Sequence, residues 1–149
     1  MPEVYRTKFA AKQPPDALVI HCSDARFQPH FQEFVEQHLG IESYALVAVP
    51  GGPQLLTLLD YLPKFAWAGW RWMKFLVDIN QPRRVILIAH HDCLWYHDGR
   101  FWQHRGDMRE RQMRDLEQVR AEIIGRFPGV AVQLFYAHFE GEHVVFEQV

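Results

Sequence analysis

At 149 residues with 48% hydrophobic side chains, the chain is long enough for one domain with a real core, which argues against disorder. Its apolar runs fall far short of a bilayer span, which argues against a membrane protein. A net charge of −2 with no basic block leaves no electrostatic footprint for nucleic acid.

The first residues do not read as a charged segment followed by an apolar one, so no secretory leader is expected. A cytoplasmic location, where thiols stay reduced, is the expectation. Ala17 to Cys22 is short, apolar and preceded by Pro14-Pro15, the pattern of a buried strand. Phe27, Phe31, Phe34, Val35, His38 and Leu39 then recur at helical spacing, and Gly40 stops that helix. Tyr44 to Val49 is a second strand, ended by the turn signal Pro50-Gly51-Gly52-Pro53. Gln54 to Leu62 is apolar and suits a short helical turn.

Phe65 to Ile79 reads as a helix that is apolar nearly all round and carries Trp67, Trp70 and Trp72. Such a helix is buried, in the core or against a partner chain. Arg84 to Ala89 is a third strand, and Cys93 to Gly106 an aromatic and histidine-rich loop. Asp107 to Phe127 is an amphipathic helix with Met108, Leu116, Val119, Ile123 and Phe127 on one side, ended by Pro128-Gly129. Val130 to Ala137 is a fourth strand. Glu140-Gly141 allows a turn into a short antiparallel edge strand through Val144, Val145 and Phe146. Strands alternating with helices imply an α/β chain: a mainly parallel sheet of about four strands flanked by helices, with that C-terminal edge strand added. No repeat, low-complexity stretch or linker interrupts residues 1–149, so one domain is expected.

The chemistry concentrates at two strand ends. Leu18-Val19-Ile20-His21 leads into Cys22-Ser23-Asp24-Ala25-Arg26, and Val85-Ile86-Leu87-Ile88-Ala89 leads into His90-His91-Asp92-Cys93. These are the chain's two cysteines. In open α/β sheets, ligands bind outside the carboxyl ends of the strands where the strand order reverses. If the first and third strands are neighbours, the two clusters meet there. Two thiolates and an imidazole are a zinc set, and three protein ligands leave a fourth position for chemistry. Cys22, His90 and Cys93 are therefore the candidate ligands of Zn2+. The competing readings are buried free cysteines, a Cys22–Cys93 disulfide, and a phosphatase-type nucleophile at Cys22. The last needs a long amide-lined loop between cysteine and arginine, and here only Ser23, Asp24 and Ala25 intervene.

The pair Cys22-Ser23-Asp24-Ala25-Arg26 and His90-His91-Asp92-Cys93 resembles the β-class carbonic anhydrases, whose pattern is Cys-x-Asp-x-Arg followed, after one β-α-β passage, by His-x-x-Cys. The resemblance runs from about Ala17 to Cys93, with Gly51-Gly52 matching a glycine-bearing turn beside the site. It implies zinc on Cys22, His90 and Cys93, a catalytic dyad of Asp24 and Arg26, carbon dioxide and bicarbonate as substrates, and a homodimer. It also implies that Asp24 orients the attacking water, and that in some members the matching aspartate turns onto the metal instead. Leu94-Trp95-Tyr96 stands where the family has glycines, His91 replaces a small hydroxyl residue, and the arm before the first strand is short. The rival is a zinc-binding protein of the same fold without this activity, either another small-molecule hydrolase or a sensor or partner-binding domain. The loop from Leu94 to Arg105 separates the two, since aromatic side chains filling the space over the metal favour the rival.

Three further features have two readings each. His91, His97 and His104 are candidate proton carriers, although nine histidines place some near any site by chance. The tryptophans suit a core or a subunit interface better than a ligand platform. Gly51-Gly52 suits a simple turn better than a phosphate nest, because no Walker lysine follows.

Overall fold

Parallel strands are covered on both faces, and two strongly apolar runs of this chain become adjacent interior strands of the sheet. The computed structural model describes residues 1–10, 13–57, 62–98 and 106–149. Within them lie strands β1 (Ala17–Cys22), β2 (Tyr44–Val49), β3 (Arg84–His90), β4 (Ala131–Glu140) and β5 (His143–Gln148). Helices α1 (Gln28–Glu33), α2 (Pro63–Asn80) and α3 (Met108–Arg126) connect them. The sheet order is β2-β1-β3-β4-β5. β1 pairs in parallel with both β2 and β3, β3 in parallel with β4, and β5 closes the edge antiparallel to β4.

The period-2 alternation of the strands divides the core between two layers. Leu18, Ile20, Val85, Leu87 and Leu134 face Trp70 and Met73 of α2 and Leu116, Val119 and Ile123 of α3. Ala17, Val19, Ile86, Ile88 and Phe135 face the other way, onto Phe27, Phe31, Phe34 and Val35. The mixed α/β architecture expected from the sequence is thus present, with the first and third strands adjacent. The strand order reverses between them.

The elements depart from the expected ones in five places. The first helix winds wider over Phe34–His38, where Leu39 N–H reaches back to Phe34 C=O. This π turn keeps both Phe34 and Val35 buried before Gly40 (φ +64°) ends the helix. β3 continues to His90 because Ala137 pairs with it. β4 continues to Glu140 because β5 pairs back onto Phe135 through Glu140. The expected turn over Gln54–Leu62 appears as a 3₁₀ turn at Gly52–Thr57, with residues 58–61 outside the described ones. The loop from Cys93 to Gly106 opens with a second 3₁₀ turn, Leu94–His97, and residues 99–105, including His104, lie outside the described ones.

Of the two expected settings for α2, core or partner chain, the core of this chain accounts for one face of the helix only. It buries Ala66, Gly69, Trp70 and Met73, and Trp70 Nε1–H donates to Leu56 C=O at 3.2 Å. Of the three tryptophans only Trp70 is core: Trp67 is 71% exposed and Trp72 48%, and Phe75 and Ile79 are more than half exposed. A helix lying on its own sheet can cover only one of its faces. No helix among the described residues is long and apolar enough to cross a membrane.

α2 ends on Gln81, which sits in left-handed backbone (φ +48°) and donates its N–H to Val77 C=O. That conformation costs a side-chain-bearing residue about 1–2 kcal/mol, against about 0.4–1 kcal/mol of extra chain entropy for glycine. Gln81→Gly is therefore expected to raise stability by about 0.5–1 kcal/mol in urea unfolding; a fall would show that the cap is not strained.

Candidate metal centre

β1 ends at Cys22 and β3 at His90, so the parallel pairing of the two strands delivers both side chains to one end of the sheet. The backbone ladders run past both ends: Ser23 N–H bonds to Val49 C=O at 3.1 Å, and His91 N–H to Ala137 C=O at 2.8 Å. After His90 the chain turns sharply through Asp92, whose φ of +52° is uncommon for a non-glycine residue. That turn returns Cys93 to the site. The ligand atoms of Cys22, His90 and Cys93 all lie within 4.8 Å of one another, and all three residues are buried.

The donor set fits a metal ion. His90 Nδ1 lies 2.8 Å from His91 C=O; a carbonyl only accepts, so Nδ1 carries the proton and Nε2 keeps its lone pair. His90 Nε2 is buried and has no hydrogen-bond partner among the described residues. The ring is steadied by Phe27, centroids 4.4 Å apart. The two sulfurs are 3.9 Å apart, too far for a disulfide and close to the roughly 3.8 Å spanned by two thiolates on one tetrahedral zinc. Both cysteines are free thiols.

The sulfurs share their environment. The hydrogen bond from the Cys93 thiol, helped by His90 and the Gly51 amide, pulls Cys22 down to about 4 against the effect of burial. Cys93 is pushed up, first by Cys22 and then by burial, while the amides of Trp95 and Tyr96 act in the opposite sense. Backbone amides face both sulfurs, and such outer contacts tune metal–ligand bonds.

Asp24 and Arg26 lie beside the cluster. Asp24 Oδ1 accepts the Arg26 backbone N–H at 2.9 Å, and Arg26 Nη2 donates to Oδ2 at 2.7 Å, with Nε shared between both oxygens. Arg26 holds the Asp24 carboxyl below the ordinary carboxylate range. The Asp24 backbone carbonyl also accepts from Phe27 and Gln28 N–H, forming the turn that leads into α1. Asp24 is not among the clustered ligand atoms; its carboxylate rests on Arg26. The same guanidinium reaches Asp92, donating to Oδ2 at 3.0 Å and to its carbonyl at 2.9 Å, and His97 Nε2–H lies 3.0 Å from Asp92 Oδ1.

Asp92, Gln54, Gln112 and Asp115 are the site residues that the sequence reading missed. For Asp92 a signal existed: a residue able to take left-handed backbone inside a tight His-x-x-Cys turn. For the other three there was none, since they lie in unrelated segments. His91 is exposed, and His97 reaches the site only through Asp92. Of the aromatic loop residues, Leu94 is exposed and Tyr96 turns inward, its OH donating to Asp115 Oδ2 at 2.5 Å. Trp95 lies against Gly51, where an added Cβ would stand 2.4 Å from its Cδ1.

No protein-family model matches the sequence, and no curated protein matches it. Solved structures match in fold. One is of tetrameric β-carbonic anhydrases from the filamentous ascomycete Sordaria macrospora, with a TM-score of 0.58 at 13% identity over 91% of this chain and 81% of that one. Another is carbonic anhydrase from Streptococcus mutans, with a TM-score of 0.55 at 13% identity over 93% and 87%. A third, from Glaciozyma antarctica, scores 0.52 at 16% identity over 91% and 84%. The chain has the β-carbonic anhydrase fold, and at these identities the likeness is one of fold.

The turn after β2 leaves no room for a side chain. Gly52 has φ +55°, and a Cβ there would stand 2.8 Å from Cys22 N and from His21 C. Gly52→Ala is expected to lower stability by at least about 1–3 kcal/mol in urea unfolding, and an unchanged midpoint would show that this approach is not tight.

Proposed function

We propose that the chain is a zinc-dependent carbonic anhydrase that interconverts carbon dioxide and bicarbonate, with Cys22, His90 and Cys93 holding the metal and Asp24 and Arg26 as the catalytic pair. The observation that carries this reading is the buried Cys22-His90-Cys93 cluster at the β1/β3 switch point, with an arginine-held carboxylate next to it. A bound zinc ion supplies Lewis acidity that activates a water towards carbon dioxide. The chain's own residues do the rest. Asp24 stays ionised because Arg26 holds it, so it can only accept hydrogen bonds. The Arg26 amide and Nε hold one oxygen, and Nε and Nη2 hold the other, so the carboxylate is fixed in orientation as an acceptor for an O–H. Arg26 is itself fixed by Asp92, which keeps Asp24 aimed.

A second reading, a metal-holding protein of this fold without hydration activity, is favoured by Trp95, whose indole lies against Gly51 beside the thiol pair. Metal analysis and a carbon dioxide hydration assay separate the two. The expected result is about one zinc per chain and catalysed hydration. Cys22→Ser should lose the metal, while Asp24→Asn should keep it and lose activity by about 100-fold. Absence of zinc from the wild type overturns both readings; zinc without hydration selects the second.

Residues 1–149 act as one domain in this proposal, since strands from both halves of the sequence join one sheet. The chain works in the cytoplasm, where a two-thiolate site stays reduced. It works as a homodimer through the outer face of α2, where Phe65, Trp72, Phe75 and Ile79 form an exposed apolar stripe at helical spacing. The Sordaria macrospora proteins are tetrameric, which fits an assembling fold. Sedimentation should give a dimer for the wild type and a folded monomer for Trp72→Glu/Phe75→Glu; a monomeric wild type would remove the dimer.

A further inference from the structure

Two buried glutamines and a partly buried aspartate lie behind the metal cluster, where an ordinary core carries apolar side chains. Gln54 comes from the 3₁₀ turn after β2, and Gln112 and Asp115 come from the first turns of α3. Gln54 and Gln112 are each 1% exposed. On α3 the same inward face continues as Leu116, Val119 and Ile123, so the polar positions stand at the end of the helix nearest the cluster. Burying polar groups is unfavourable unless hydrogen bonds compensate. Here the bonds run to the segments that carry the metal ligands.

Gln112 Nε2 donates to the His90 carbonyl at 2.9 Å. Asp115 Oδ2 accepts from Tyr96 OH at 2.5 Å and from Gln54 Nε2 at 3.3 Å. Tyr96 packs on Cys22 and Cys93, and its amide bonds to Cys93 C=O at 3.0 Å. Gln54 N–H bonds to Gly51 C=O at 3.3 Å. One carboxylate thus joins the turn whose Gly51 amide faces Cys22 to the turn whose Trp95 and Tyr96 amides face Cys93.

We infer that Asp115 is a positioning residue for the metal centre: through Tyr96 and Gln54 it locks both sulfur-facing turns to α3 and so sets how tightly Cys22 and Cys93 hold the ion. The inference rests on the metal reading proposed above. Asp115 touches neither ligand nor substrate; it acts through the amides that share electron density with the sulfurs. Outer contacts of this kind change metal affinity by about 10–100-fold.

The test uses the purified full-length protein loaded with zinc, or with cobalt as a spectroscopic substitute. Zinc affinity is measured by competition with a chromogenic chelator for the wild type, Tyr96→Phe, Asp115→Asn and the double variant. Thiolate-to-cobalt charge-transfer bands are recorded for each, and circular dichroism reports folding. The expected result is an affinity loss of about 10-fold or more in each single variant, with shifted charge-transfer bands. The double variant should lose no more than the weaker-binding single one, because Tyr96→Phe removes and Asp115→Asn weakens the same hydrogen bond. Tyr96→Phe removes a single oxygen and decides the matter by itself if Asp115→Asn does not fold. Affinities within twofold of wild type with unchanged bands, or losses that simply add, overturn the brace. A wild type that binds neither metal overturns the metal reading itself, and the two failures are thereby distinct.

Discussion

The parallel pairing of β1 with β3 is the constraint on which the rest of this structure depends. The register that sets Ala17 against Arg84 and His21 against Ile88 brings the ends of both strands, Cys22 and His90, to the same edge. Because both strands are covered by helical layers on each face, the only place where they meet the outside is at their ends. Chemistry-bearing residues can therefore collect only there. Everything placed by other elements, including the turn at Gly51-Gly52 and the return of Cys93, is arranged around that edge.

Arg26 joins the two halves of the site across that edge. It is 41% exposed, and ion pairs this exposed contribute at most about 1 kcal/mol. Its importance is geometric. A planar guanidinium that grips Asp24 with Nε and Nη2 and Asp92 with Nη1 leaves both carboxylates few orientations. It also holds the carbonyl of Asp92, which supports the left-handed backbone that brings Cys93 within reach of His90. The sharp turn and the catalytic pair proposed here are thus one interlocked unit.

The two long helices deal with polarity in opposite ways. α3 is apolar inward except at its first turns, where Gln112 and Asp115 bond to the segments that carry His90 and Cys93. α2 is apolar both inward and outward, with Trp70 and Met73 in the core and Trp72 and Phe75 in contact with solvent. An inward polar group needs a partner within the fold, and an outward apolar stripe needs one outside it. Inside this chain Gln112 Nε2 and the Asp115 carboxylate find such partners; the apolar stripe is the reason to look for an assembly.

Much of this was legible from local pattern. The four parallel strands, the long helices and the two cysteine clusters each announce themselves within a few consecutive residues, because apolar periodicity and turn residues act over short spans. Cys22, His90 and Cys93 were identifiable together since strand ends are where an α/β sheet opens. Tertiary structure alone decided which apolar residues are covered. Trp67, Trp70 and Trp72 look alike in sequence, and only packing against Leu56 and the sheet distinguishes Trp70. It also decided which polar groups meet: Arg26 with Asp92, Tyr96 with Asp115 and Gln54, Gln112 with the His90 carbonyl. Those partners are distant in sequence, and they come together because buried donors and acceptors must be satisfied wherever the folded chain happens to bring them.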